Sequence, residues 1–262
     1  ITGWAKLRKV YFRAEFSRPF KSRLLMDGGR NAGQSEVING RVLRSALNFD
    51  ANESQELTVK VAISPVDSRG ARQNMKAEAS NWNFDYYVQA SHDAWKKELA
   101  RIDIEGTDEQ KTIFYTGLYH VLMQPNTMSD VDGRYMTTNY EIKQMPKGQV
   151  YHSTFSLWDT FRAAHPLYTL IAPDVAAQFV RDMVLHHESY GYLPIWDLWG
   201  QDNYCMIGNH AIPVLSDAIL AELPEPKPAY NTVSTIVRIL ENKGFVSHKA
   251  YGRTYEYFPI VG

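Results

Sequence analysis

Near Pro65 the hydrophobic pattern changes period, and that change limits what this chain can fold into more than any other feature. Upstream, the run Lys9-Val10-Tyr11-Phe12-Arg13-Ala14-Glu15-Phe16 is rich in aromatic and β-branched residues. Residues 42–49 and 57–63 alternate apolar with polar or small side chains at period two, which puts one face of a strand on a core. Between them, Asp27-Gly28-Gly29-Arg30-Asn31-Ala32-Gly33 is turn chemistry, because Gly and Asn take positive φ at little cost. Short strands separated by such turns predict part of an antiparallel β-sandwich. Downstream the spacing is helical over 68–79 and 84–99, the second stretch placing Trp95 and Leu99 on one face. A multidomain α+β chain is expected: a partial sandwich over 1–66, a helical linker over 67–105 and a mainly helical region over 106–262.

The helical region can be read in some detail. Thr107 and Gln110 form a capping box, followed by a stripe of Phe114, Leu118, Val121 and Leu122. Pro125-Asn126 stops that helix, and Asp132-Gly133 with Lys147-Gly148 marks turns of a hairpin around 135–142. One helix is expected over 156–171. Another, over 174–187, has Val175, Phe179, Met183 and Val184 on its buried face and Gly191 as terminator. A further helix starts close to Asn209 and runs through Val214, Leu215, Ala218 and Ile219. A Pro-rich loop over 222–228 and a last helix over 231–241 follow. Successive helices joined by long, aromatic-rich loops predict a toroid with functional loops at one end.

The totals exclude several function classes. With 28 Lys+Arg against 29 Asp+Glu, no charge imbalance points to nucleic acid or an anionic membrane. No apolar run is long enough to span a bilayer. A single cysteine, Cys205, excludes an internal disulfide framework and a cysteine-based zinc cluster, but not export. The chain opens already in strand-like sequence without an initiator Met and ends at Gly262 inside FPIVG, which suggests a piece of a longer polypeptide.

Chemistry concentrates in two stretches, SLWDTFRAAHP over 156–166 and GYLPIWDLWGQDNYCMIGNHA over 191–211. They hold three of the six Trp, and both set Trp beside Asp: Trp158-Asp159, then Trp196-Asp197 with Trp199 and Asp202. A sugar site needs that pairing, because an indole packs on the C–H face of a pyranose while a carboxylate accepts from its hydroxyls. Each residue also has a plainer reading. Trp is a common core residue. Ser156-x-x-Asp159 is itself a capping-box pattern, the carboxylate returning to the Ser156 N–H. Against that, Asp159 and Arg162 can pair at i, i+3 on the first helical turn, which would hold the carboxylate ionised and oriented. Asp197 and Asp202 lie in a loop dense in Trp196, Trp199, Gln201 and Asn203, a composition that favours a ligand site over a solvated surface. Asn209 is an ordinary N-cap type, and His210 beside it can cap, pack or bind a hydroxyl.

Other constellations do not rise to a motif. His186 and His187 are adjacent and diverge by about 100° on a helix, and no HExxH or H-x-x-x-H spacing occurs, so no transition-metal site is expected. Asp130-Val131-Asp132-Gly133 lacks the remaining ligands of a calcium loop and reads as a turn. The sequence contains neither a phosphate-cradling glycine loop nor a GxSxG elbow.

Three segments give the chain a family resemblance: FYTGLYHVLMQPNTMSDVDGRY, YHSTFSLWDTFRAAHPLYTLIAP and GYLPIWDLWGQDNYCMIGNHAIPVLSDA. In that order they resemble glycoside hydrolase family 92, calcium-dependent exo-acting α-mannosidases abundant in gut Bacteroides. The upstream GWAKLRKVYFRAEFSRPF and LTVKVAISPVDSRGARQNMKAEA are similar to the family's sandwich and connector. The resemblance implies an N-terminal β-sandwich packed on an (α/α)6 barrel, with the site at their interface. It implies an inverting enzyme, with α-1,2 linkages as the expected target, releasing mannose from N-glycans or mannan in the periplasm, in secretions or at the cell surface. Trp158 and Asp159 match the family's WDT sugar contact. The 191–211 loop, with Trp196, Asp197, Asp202, Asn209 and His210, matches a region of further contacts, although the family usually has Glu where Asp197 and Asp202 stand. Arg162 completes the candidate subsite. The family's general acid and base follow an EYAYDD-like motif that this sequence does not contain, so both are expected beyond Gly262. The Ca2+ ligands are expected there too, and metal ligands are assigned to none of these residues. The expected partners are a mannose-terminated glycan and the rest of the parent polypeptide. A non-catalytic sugar-binding or scaffold module, or a phosphorylase on the same plan, are the alternatives.

Overall fold

The structure is a computed structural model that describes residues 8–33, 35–50, 52, 56–222, 246–251 and 254–259. It opens with five strands, β1 (Tyr11–Phe16), β2 (Ser22–Asp27), β3 (Arg30–Asn31), β4 (Leu43–Asn48) and β5 (Val59–Ser64). β1 pairs antiparallel with β5, Tyr11 opposite Ser64 and Phe16 opposite Val59. The other three form a sheet in the order β3-β2-β4. Gly28 and Gly29, at φ 55° and 91°, make the tight β2–β3 turn expected of the glycine-rich stretch.

The polarity of the β1–β5 pair is inverted. Period two does set its two faces apart, but the face turned inward carries Lys60 and Ser64, both buried, while Phe12, Val59, Val61 and Ile63 are exposed. The buried side lies on α1 (Ser68–Glu78); Lys60 faces Glu15 of β1 at 3.8 Å and lies 3.9 Å from the Trp82 ring centroid, while Ser64 reaches past the helix. The Ser64 hydroxyl donates to Asp130 Oδ2 at 2.8 Å, and Asn74 Nδ2 donates to Asp130 Oδ1 at 2.8 Å and to the Ile63 carbonyl at 2.9 Å. The Asn74 carbonyl oxygen accepts from the Val131 N–H at 2.9 Å. Arg134 bonds Asp67 and Asp132, each at 2.8 Å. Asp130, 3% exposed, therefore ties a strand, a helix and the 130–134 turn together.

α1 is capped by Asp67, which accepts from the Gly70 N–H at 2.6 Å. α2 (Phe84–Leu99) follows, and its Trp95 packs on Tyr119 of α3 (Asp108–Val121) at 4.5 Å. The Thr107–Gln110 capping box is formed in both directions. Short strands come next: β6 (Asn126–Thr127) pairs with β9 (His152–Ser153), and between them β7 (Arg134–Met136) pairs with β8 (Ile142–Gln144) in the expected hairpin. Met128, Tyr135, Met136, Met145 and Tyr151 form a small core beneath it, Tyr135 stacked on Tyr151 at 4.3 Å.

The single helix expected over 156–171 is two: α4 (Leu157–Thr160) and α5 (Ala164–Ile171). Pro166 accounts for the break. It has no N–H, and its ring clashes with the carbonyl four residues back, so it is tolerated only in the first turn of a new helix. α6 (Pro173–Tyr190) ends at Gly191, whose φ of 92° is the left-handed cap expected of it. Its buried face is Ala176, Phe179, Asp182, Met183 and His186; Phe179 and Met183 hold as predicted, Val175 packs half-buried against the same core, and Val184 turns outward, 39% exposed. β10 (Asp197–Leu198) and β11 (Gln201–Asp202) form a hairpin, and α7 (Ala211–Glu222) starts where Asn209 predicted. The helix expected over 231–241, and nearly all of the Pro-rich 222–228 segment, fall outside the described residues. The antiparallel pair β12 (Val246–Tyr251) and β13 (Thr254–Pro259) departs from the helical reading of this region.

The main core joins α4, α5, α6 and α7 through Phe155, Leu157, Tyr168, Ala176, Phe179, Met183, Ala211 and Val214. Phe179 sits at its centre, its ring 5.0 Å from His152, 5.5 Å from Tyr168 and 5.7 Å from Phe155. Phe179→Ala should lower stability by about 3–5 kcal/mol, since the cavity adds to the lost burial. Phe179→Leu should lose much less, and thermal unfolding of both variants checks the order. Among the described residues no helix is long and apolar enough to cross a membrane.

Candidate functional site

The two Trp-Asp stretches, about forty residues apart in sequence, meet in space through an antiparallel bridge between Ser156 and Trp196. The loop carrying the second stretch is a tight hairpin. β10 and β11 are joined by Trp199 and Gly200, with φ of 55° and 73°, the positive-φ pair of a type I′ turn. Gly200 is required there. A Cβ on it would stand 2.6 Å from Met128 Cε and 3.2 Å from the Met136 carbonyl. A Trp at positive φ is unusual and persists only where its surroundings hold it.

Two buried carboxylates hold this hairpin from inside. Asp197, 1% exposed, accepts from the Phe155 N–H at 2.8 Å and the Ser153 hydroxyl at 2.9 Å. The Ser153 oxygen in turn accepts from the Gly200 N–H at 2.8 Å. Asp202, its partner across the hairpin and 4% exposed, accepts from the N–H groups of Ile195 (2.9 Å), Tyr204 (2.9 Å) and Trp196 (3.3 Å). Both were expected to reach a sugar directly. Instead their oxygens are engaged by the protein's own donors, because a hairpin this tight leaves N–H groups that no strand partner can satisfy. Burial pushes the Asp197 carboxyl up to about 7, the Phe155 and Ser153 bonds pull it down, and nearby Asp202 and Asp182 push it further up.

The first stretch is open. Trp158 is 49% exposed, and Asp159 is exposed and receives the Ser156 hydroxyl. Ser156 makes no side-chain bond to a backbone N–H, so the reciprocal capping box is not formed. Nor is the Asp159–Arg162 ion pair. α4 ends at Thr160, which takes Arg162 off the helical i+3 position, and its guanidinium lies 4.9 Å from the Phe161 ring centroid instead. On the other face of this turn, His210 stacks on Phe161 at 4.4 Å and 16°. His210 Nε2 and Asn209 Oδ1 are buried without a hydrogen-bond partner. Unmet polar atoms of this kind mark places where an incoming hydroxyl would be favourable.

The structure thus gathers Trp158, Asp159, Arg162, Trp196, Asn209 and His210 around one turn and sets Asp197 and Asp202 behind it. The sequence reading missed Ser153, Phe161 and Arg8. Arg8 donates to Leu198 and Gln201 carbonyls at 3.0 and 2.9 Å. The carboxylate–imidazole pair of Asp182 and His152, at 2.7 Å, was also unforeseen. Asp182 is 1% exposed and burial raises its pKa, the His152 bond opposing. His152 lines a cavity of about 350 Å³ walled by Trp95, Tyr168 and Phe179, which none of the Trp-Asp residues touches.

Calcium, which the family resemblance implies, finds no donor set here. No group of three or more His, Cys, Asp or Glu among the described residues is arranged to hold a metal ion. Asp197 and Asp202 face backbone donors rather than an open coordination space. The general acid and base, expected beyond Gly262, concern chain outside the described residues. Gly262 lies outside them as well, the last described residue being Pro259.

Residues 70–259 match the glycosyl hydrolase family 92 catalytic domain, and the chain belongs to that family. Among solved structures it is similar to a family GH92 α-mannosidase from Bacteroides thetaiotaomicron, at 31% identity over 90% of this chain with a TM-score of 0.77. That enzyme has also been solved in complex with mannoimidazole. A family GH92 inverting mannosidase from the same species shares the fold at 24% identity over 89% of this chain, with a TM-score of 0.71. The chain spans 32% of the length of each of these relatives. No curated protein matches it.

Proposed function

We propose that the full-length protein carrying this chain is an exo-acting α-mannosidase of the inverting, calcium-dependent type. Its substrates would be terminal α-1,2-linked mannose residues of N-glycans or mannan. The reading places the protein in the periplasm, in secretions or at the cell surface, where such glycans are met. On this reading β1–β5 belong to a β-sandwich, α1 and α2 to a linker, and α3 to α7 to an (α/α)6 barrel. The observation that carries the reading is the family match over 70–259, joined to the meeting of its two Trp-Asp stretches in one turn.

In this reading the exposed Asp159 accepts hydrogen bonds from mannose hydroxyls, with the Ser156 hydroxyl fixing its rotamer. Trp158 offers its free indole face to the ring's C–H side. His210, stacked on Phe161, and Asn209 beside it back this turn. Asp197 and Asp202 act one layer back, holding Trp196 and Trp199 in place. Inverting hydrolysis needs a general acid on the leaving oxygen and a base on the attacking water, with about 6.5–9.5 Å between the carboxyls. In this reading both carboxyls come from chain outside the described residues.

The full-length protein should release mannose from α-mannosides, with the β-anomer appearing first in the proton NMR spectrum. A chelator should abolish release, and added Ca2+ should restore it. Mannoside binding without release would point instead to a carbohydrate-binding module. Release that persists with α-anomer first would overturn the inverting assignment.

A further inference from the structure

The hairpin that carries Trp196 and Trp199 is held from outside by a segment about 190 residues away in sequence. Arg8 Nε donates to the Leu198 carbonyl at 3.0 Å, and Nη2 donates to the Gln201 carbonyl at 2.9 Å and to the side-chain oxygen of Asn203. Leu198 and Gln201 are register partners on either side of the Trp199–Gly200 turn, so one planar guanidinium spans both strands at their tip. The next residue adds a second tie. The Trp199 indole N–H donates to the Lys9 carbonyl at 2.8 Å. One residue further into the hairpin lies the Asp197–Asp202 pair, already fixed from inside. Arg8 is partly buried; burial lowers its pKa, and Tyr140, Asp197 and Asp202 oppose that shift.

We infer that Arg8 is a positioning residue for the glycoside site, setting the 196–203 hairpin, and with it the Trp199 ring, in the arrangement that receives a sugar. The inference rests on the mannoside reading above. It assigns the two-residue segment 8–9 a part in a site otherwise built from residues after 150. Geometry requires arginine. Its donors lie in a rigid plane and reach two carbonyls and an amide oxygen together, whereas the ammonium of lysine is a point from which donors diverge. A residue that merely balanced the charge of Asp197 and Asp202 would be replaceable by lysine.

The test uses the full-length protein with Arg8→Ala and Arg8→Lys, and methyl α-mannoside as the probe. Amide hydrogen exchange over 196–203, mannoside affinity by calorimetry and melting temperature are measured on each. Arg8→Ala should raise exchange in the hairpin and weaken mannoside binding by about tenfold or more, the loss expected when charge-assisted hydrogen bonds are removed. Arg8→Lys should lose nearly as much, and free guanidinium should restore part of the affinity of Arg8→Ala alone. Full affinity in Arg8→Lys would overturn the positioning role and leave only a countercharge. Unchanged exchange and affinity in Arg8→Ala would overturn it as well. If the wild-type protein binds no mannoside, the glycoside reading falls and this inference with it. A binding wild type beside an indifferent variant removes this inference alone.

Discussion

Asp159→Asn is expected to leave the fold nearly intact and cut kcat/KM for α-mannosides by one to several orders of magnitude. The carboxylate is exposed, and its one bond among the described residues is from the Ser156 hydroxyl, which an amide oxygen can also accept. Little stability depends on it. No reciprocal cap is formed, and Asn is in any case about as good a cap as Asp, so the stability change should be well under about 1 kcal/mol. A sugar hydroxyl bonded to a charged acceptor is a different matter. It contributes about 1.5–3 kcal/mol, or roughly ten- to a hundredfold, and more where the contact tightens in the transition state. Melting temperature and kcat/KM measured side by side separate the two readings. A lowered melting point with unchanged kcat/KM would return Asp159 to the role of a helix residue.

The second large effect is on stability, at Asp197. Its folded pKa of about 7 lies above the ordinary carboxylate value of 3.8, so the folded protein binds the proton more tightly than the unfolded chain does. The Asp197 contribution to stability should therefore fall as pH rises from about 4 to 7, then level off above 7, opposite in sign to that of His165, whose imidazole pKa burial lowers to about 4. Asp197→Asn mimics the protonated acid. Its oxygen can accept from the Phe155 N–H and its amide can donate to the Ser153 oxygen. It should flatten this part of the pH profile and be neutral or stabilising at pH 8. Asp197→Ala should also lose this pH dependence and should lower stability most at pH 4, because the protonated acid is gone and the Phe155 N–H is left buried without an acceptor. Chemical denaturation at pH 4, 6 and 8 checks both variants, and a stability difference between wild type and Asp197→Asn that stays constant over that range would sink the assignment.

How far the sequence was legible depended on whether the deciding interaction was local. The Thr107–Gln110 box, the Gly191 cap and the start of α7 are decided within a few residues, and each stands where spacing put it. The split of 156–171 was also local in cause, since Pro166 was visible, but the apolar pattern ran on through it and hid the break. In the site, Trp158 and Asp159 were legible as types, and the structure brings their turn to Trp196. The engagement of Asp197 and Asp202 was not legible. Which N–H groups a tight hairpin leaves unpaired depends on where Ser153 and Phe155 arrive, more than forty residues earlier. Arg8 was hidden for the same reason at far longer range.

The inverted polarity of β5 has a consequence for how this protein can be divided by evolution. A strand whose hidden side is Lys60 and Ser64 is not interchangeable with a strand that buries valine and isoleucine. Lys60 faces Glu15 of the partner strand, but the acceptor of the Ser64 hydroxyl, Asp130, belongs to chain well past residue 66, and Asn74 of the intervening helix bonds both the strand and Asp130. Recombination that exchanged the strands alone would leave Asp130 short of a donor in a dry interior. Strand, helix and 130–134 turn therefore stand or fall together, and a cut at the change of hydrophobic period would part groups that satisfy one another.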